Sequence, residues 1–107
     1  MTTFDKRENA EEAVFASRET TEFDVRARRD RFMGHWAAGL LGLEGDEAKA
    51  YAKNLVNVDL EKHSDVAVIE RLQRDFAAKG VQITNDSIVN MLAEKADEAR
   101  SQLLASK

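Results

Sequence analysis

Four arginines, Arg26, Arg28, Arg29 and Arg31, fall within two helical turns and are interrupted only by Ala27 and Asp30. Such a group can form ion pairs, bind an anion, or lie in water as a charged face. Arg29 is distinguished by its register. It precedes Met33 by four positions and Trp36 by seven, so on a helix it points to the side that carries those apolar residues. Three roles suit it. Its stem can snorkel over the edge of a core, its guanidinium can pair with a carboxylate from another helix, or it can line, with Arg26, a site for an anion such as the phosphates of ATP or ADP. General physics ranks the structural roles first, because charged groups facing a core are normally paired or reach back to water.

The remaining chemistry-bearing residues give little purchase for catalysis. His35 and His63 fall on different elements, without a ligand spacing such as H-x-x-x-H, so no metal site is expected. The serines lack the context of a nucleophile elbow, and Ser64 is better explained as a helix cap. The glycines of G-L-E-G, Gly42 to Gly45, precede a helix but follow no strand and lack a phosphate-binding lysine. They read as a helical turn. No acid/base pair, nucleophile or metal constellation emerges, so an enzyme is not expected, and neither is a resident cofactor.

The composition points to one small helical domain. The chain has 107 residues, 43% hydrophobic and 34% charged, with neither proline nor cysteine. Its formal charge of -4 argues against a general nucleic-acid binder, although a helical domain using the arginines in that way would show strongly salt-dependent retention of DNA or RNA. Without cysteine there is no disulfide framework, which suits a reducing compartment. The first residues mix both charge signs and lack the apolar centre of a signal peptide, and no later run approaches membrane-spanning length. No direct membrane insertion is expected.

Hydrophobic periodicity then places the elements. Thr20 or Thr21 can cap a helix over about 21–41 with Val25, Phe32, Met33, Trp36, Ala37 and Leu40 on its buried side. Gly34 within it costs about 0.5–1 kcal/mol relative to alanine and marks a close approach by another helix. Gly42 and Gly45 close the turn, Asp46 caps a second helix over about 46–61, and Ala48, Tyr51, Ala52, Leu55 and Val56 form its inner face. Ser64 or Asp65 caps a third, over about 65–79, with Ile69, Leu72 and Phe76 inward, and Gly80 stops it. Thr84 caps a fourth over about 85–104, in which Ile83 staples onto Ile88 ahead of Met91, Leu92, Ala96, Ala99 and Leu103. Short loops make successive helices antiparallel. The expected architecture is an all-α, antiparallel four-helix bundle over residues 20–107, monomeric when free.

Residues 1–19 are of another kind. Glu, Ala, Lys and Arg favour a helix, yet Phe4, Val14 and Phe15 make no continuous stripe, and an isolated helix of this length is marginal in water. The segment is expected to be a mobile arm that becomes helical when a partner supplies the missing surface. Fully helical, it would span about 28 Å.

Two runs carry a resemblance. R-R-D-R-F-M-G-H-W-A-A-G-L-L-G-L-E-G-D-E-A-K-A-Y-A, Arg28 to Ala52, and F-D-K-R-E-N-A-E-E-A-V-F-A, Phe4 to Ala16, together resemble the zeta subunit of the alphaproteobacterial F-type ATP synthase, an inhibitor of its ATPase. The resemblance implies a flexible N-terminal inhibitory segment that enters the interface between alpha and beta subunits beside the gamma rotor, with the bundle docked on the catalytic head. It implies Phe4 and Phe15 as apolar anchors, and Asp5, Arg7, Glu8, Glu12 and Ala13 as further contacts in the same segment. It implies a cytoplasmic location, peripheral at the inner membrane through the ATP synthase. A small nucleotide-binding sensor built on Arg26 and Arg29 is the alternative, and it is compatible with inhibition.

Overall fold

In the computed structural model residues 22–105 are described, and they form four helices with no strand among them. Helix α1 covers 22–40, α2 Gly45–Lys62, α3 Asp65–Ala78 and α4 Asn85–Ala105. The arm expected over 1–19, and the cap expected at Thr20 or Thr21, lie outside the described residues.

Two glycines end helices by the same device. Gly42 adopts φ +78°, and the bonds Leu43 N–H to Ala38 O (2.8 Å) and Gly42 N–H to Gly39 O (3.3 Å) close α1 as a Schellman motif. Gly80 adopts φ +71°, and Val81 N–H to Phe76 O (2.8 Å) with Gly80 N–H to Ala77 O (3.1 Å) close α3 in the same way. The end of α2 falls to His63, left-handed at φ 51°, whose N–H bonds Asp59 O at 2.7 Å. Ser64 Oγ then accepts from Ala67 N–H at 3.4 Å to start α3, and Thr84 Oγ1 accepts from Ser87 N–H at 3.1 Å to start α4. Asp46 is not the cap of α2. Glu44 holds that place without a side-chain cap, and Asp46 and Glu47 sit in the first turn, where they favour the positive end of the helix dipole.

Contacts between helices establish the topology. Gly34 meets Ala52 and Arg29 meets Asp59, pairs that straddle the first turn almost symmetrically, so α1 and α2 are antiparallel. Tyr51 donates to Asp75 across the second turn, and Gln73 to Asn85 across the third, extending the up-down order. Arg29 to Asp65 and Trp36 to Phe76 run in the same sense, which makes α1 and α3 parallel.

The core draws on every helix: Met33 and Ala37 of α1, Leu55 of α2, Val68, Leu72 and Phe76 of α3, and Ile88 and Leu92 of α4. Trp36 closes over it edge-on to Phe76, with ring centroids 5.7 Å apart. A Cβ built on Gly34 would collide with the Ala52 backbone and stand 2.8 Å from its Cβ, so the absence of a side chain lets α1 and α2 touch. Two residues depart from the sequence expectation. Leu40 is 44% exposed, because it occupies the last position of α1, and periodicity gives a direction without saying where neighbouring helices end. Val68 is fully buried while Ile69 is half-buried, so the first turn of α3 turns Val68 inward, in line with Leu72 and Phe76 at steps of four.

Candidate functional site

The inner face of α2, Ala52 and Leu55, continues one turn on to Asp59, and that of α1 continues back from Met33 to Arg29. Arg29 on α1 and Asp59 on α2 thus extend the two buried stripes with opposite charges at matching distances from the turn. The antiparallel hairpin brings them together. Arg29 Nη2 lies 3.5 Å from Asp59 Oδ2 and 2.9 Å from Asp65 Oδ1, at the start of α3. Its Nε and Nη2 also donate to Asp30 Oδ1, at 3.0 and 2.9 Å. Arg26, one turn earlier, grips both oxygens of Asp59, at 3.2 Å from Nε and 2.6 Å from Nη2, and reaches Asp65 Oδ1 at 3.1 Å. Of the roles open to Arg29, the geometry is that of carboxylate pairing.

Arg28 and Arg31 do not join this group. Arg28 donates to Gln102 of α4 at 3.5 Å, and Arg31 lies on the exposed side. Phe4, Asp5, Arg7, Glu8, Glu12, Ala13 and Phe15 lie outside the described residues. Among the described residues no cluster of three or more His, Cys, Asp or Glu is arranged to hold a metal ion, and no helix is long and apolar enough to cross a membrane.

Two carboxylates in this cluster escape a reading of the sequence for chemistry. Asp30 looks like a mere interruption of the arginines, yet it is 1% exposed and its Oδ2 is buried and accepts from no donor, which leaves that oxygen to carry a proton. Burial pushes its carboxyl up to about 8, helped by the neighbouring Asp59 carboxylate and opposed by Arg29. Asp59 is held below the usual carboxylate range: burial works against its ionisation, but hydrogen bonds from Asp30 and Arg26 and the two guanidinium charges outweigh it. The pair therefore keeps one proton near neutrality, on Asp30. The available signal was Asp59 itself, seven positions after Ala52 and four after Leu55, a carboxylate on an apolar stripe that demands a partner.

A small cleft of about 100 Å³ opens beside this cluster, between the first half of α1 and the last half of α2. Phe23, Ala27, Val56 and Leu60 wall it, Asp30 and Asp59 border its polar side, and Arg26 and His63 complete the lining. A broader depression of about 650 Å³ lies at the other end, around the α3–α4 turn, and its lining from Gln73 to Thr84 carries no charged side chain.

A sequence model of the ATPase inhibitor subunit zeta family matches residues 1–102. The chain belongs to that family. No curated protein matches it. Among solved structures, a protein determined by solution NMR is 30% identical, with a TM-score of 0.70 over 80% of this chain and 98% of that one. The zeta family match takes in the N-terminal segment together with the helices. The family is one of inhibitor subunits of an ATPase, which makes the chain a regulatory protein associated with that enzyme.

Proposed function

We propose that this chain inhibits ATP hydrolysis by the F-type ATP synthase, with residues 1–19 as the inhibitory segment and the four-helix domain as its carrier. The observation that carries the reading is the extent of the family match, which spans the N-terminal segment and the helices as one unit. In this reading the segment enters the interface between alpha and beta subunits beside the gamma rotor. Phe4 and Phe15 anchor it, and Asp5, Arg7, Glu8, Glu12 and Ala13 set its register. Ordering the segment on binding costs about 2–5 kcal/mol of the gross interaction energy, so contacts of the helical domain are needed for affinity. The protein then sits at the cytoplasmic face of the inner membrane through the enzyme it regulates.

The test is ATP hydrolysis by isolated catalytic heads stripped of this protein, with the full chain or residues 20–107 added back. The full chain inhibits and the truncated chain does not, while circular dichroism shows the truncated chain still helical. Equal inhibition by both would move the effector to the helical domain. Nucleotide binding at Arg26 and Arg29 is a separate proposal, supported by Arg26, whose side chain is 44% exposed. A phosphate there must displace carboxylates that already hold both guanidiniums. Titration with ATP or ADP shifts the amides around residues 26–30 if it binds, and leaves them unmoved at millimolar nucleotide if it does not.

A further inference from the structure

The charge cluster also decides how the start of α1 is held. Over residues 22–30 the buried side chains are Val25, Arg29 and Asp30, while Phe23 stands 58% exposed, so one valine is the only fully covered apolar group of these turns. From Met33 onwards the hold is apolar, through Met33, Ala37 and Ala38, and Gly34 rests on the Ala52 backbone one turn beyond Asp30. The helix therefore divides near residue 31 into a part fixed by packing and a part fixed by charge.

Charge fixes it in one protonation state only. The fully covered charged groups are one guanidinium, Arg29, and two carboxyls, Asp30 and Asp59. Arg26, half in water, grips Asp59 from the rim. Asp30 is left with Arg29 on one oxygen and no donor to the other, which is sealed from solvent, and the proton it keeps is shared with Asp59. Without that proton two carboxylates face each other across the α1–α2 contact, where burial leaves their repulsion poorly screened. Around Asp30 stand Arg26 and Arg29 on its own helix, Asp59 and His63 on α2, and Asp65 on α3; α4 meets α1 elsewhere, at Arg28 with Gln102.

We propose that residues 22–30 form a proton-gated joint, clamped to α2 and α3 while Asp30 carries its proton and released from them when the proton is lost. The regulatory consequence rests on the inhibitory function proposed above: the clamped joint couples the segment 1–19 to its carrier, the released joint uncouples it, and inhibition weakens as pH rises. In the closed joint the carboxyl of Asp30 is pushed from the ordinary 3.8 up to about 8, and in the open joint it returns to the ordinary value. Opening is thus favoured about tenfold by each pH unit between those values. Over the whole span that amounts to about 10⁴-fold, the range that takes a two-state equilibrium from 1:99 to 99:1. The apolar contacts from Met33 onwards hold the rest of α1 in place.

Amide hydrogen exchange of the full chain tests the joint. Corrected for the intrinsic rate at each pH, the amides of residues 26–30 lose protection about tenfold per unit from pH 5 to pH 8, and throughout they are less protected than Leu72 and Leu92 of the core. Asp30→Asn, which copies the shape and charge of the acid and still donates to Asp59, keeps those amides protected across the range. His63→Asn removes the imidazole beside the joint, at a left-handed position that asparagine accepts, and retains the parent's slope. Exchange at 26–30 that ignores pH, as at an ordinary frayed end, protection equal to that of Leu72, which makes the opening global, or an unchanged slope in Asp30→Asn would each overturn the joint. With catalytic heads normalised to their own activity at each pH, the parent's apparent affinity weakens about tenfold or more from pH 6 to pH 8, and that of Asp30→Asn stays level. Inhibition indifferent to pH, with the slope in exchange intact, overturns the regulatory role; no inhibition at any pH removes the inhibitory function and leaves the joint.

Discussion

The two ends of the bundle are held by different physics. Where α1 begins, α2 ends and α3 begins, five charged side chains interlock within two turns, and a carboxylate lies in the core. Towards the first turn the same helices meet through Met33, Ala37, Trp36 and Phe76, and through bare backbone at Gly34 and Ala52. Apolar burial is non-directional and supplies most of the stability. Buried ion pairs spend much of their attraction on desolvation, but they fix which residue faces which. The difference teaches that this small domain uses one end to be stable and the other to be specific.

Five experiments would break or sharpen that contrast. Phe76→Ala removes the largest fully buried side chain and its edge contact with Trp36, and costs about 3–5 kcal/mol in urea unfolding. At the other end, Asp59→Ala takes from Arg26 its two-point partner, leaving it Asp65, and from Arg29 one of three carboxylates, and costs about 3 kcal/mol, whereas Arg29→Met with Asp59→Leu comes out nearly neutral in the same assay. A large loss in the double variant would make the ionic end a source of net stability and dissolve the contrast. Gly34→Ala forces the α1–α2 contact apart and lowers stability by about 1–3 kcal/mol, outweighing its gain in helix propensity. Gly39→Ala, with open space around it, gains about 0.5–1 kcal/mol, read as a rise in Tm.

The fifth experiment is a pH series. Asp30 has a folded-state value raised to about 8, so its contribution is whole below the unfolded value and drains away as pH climbs to 8. Asp59, lowered, acts oppositely and loses its contribution only as pH falls through its folded value, below the usual carboxylate range. Stability thus declines from about pH 5 to pH 8 with a slope of up to about 1.4 kcal/mol per unit. Asp30→Asn flattens that slope. A slope unchanged in the variant would mean that Asp30 is ionised throughout.

Much of the fold was legible because its signals are local. Gly42, Gly80, Ser64 and Thr84 each end or start a helix through bonds made within a few residues, and those positions could be read from the chain. Gly34 was legible too, since a glycine inside a helix without a turn needs a neighbour to justify it. The site was less so. Arg29 could be assigned to the inner side, but its partners Asp59 and Asp65 stand 30 and 36 positions away, and nothing local names them. Asp30 was hidden for a different reason: adjacent to an arginine, it resembles a surface pair, and only packing shows that one of its oxygens has no donor. Leu40 shows the remaining limit, a residue with the right direction at the place where the core stops.

The placement of the five charges also has a mechanical meaning. The chain that precedes residue 22 enters the fold at the ionic end, and α1 lies antiparallel to α2 beside it. A pull on that chain along the axis of α1 loads Arg26 and Arg29 in shear before it reaches Met33. Because Asp59 and Asp65 belong to different helices, the tension divides between α2 and α3 at the first turns it meets. The cluster works as an anchor plate, spreading a force applied at one strand of the chain over three helices.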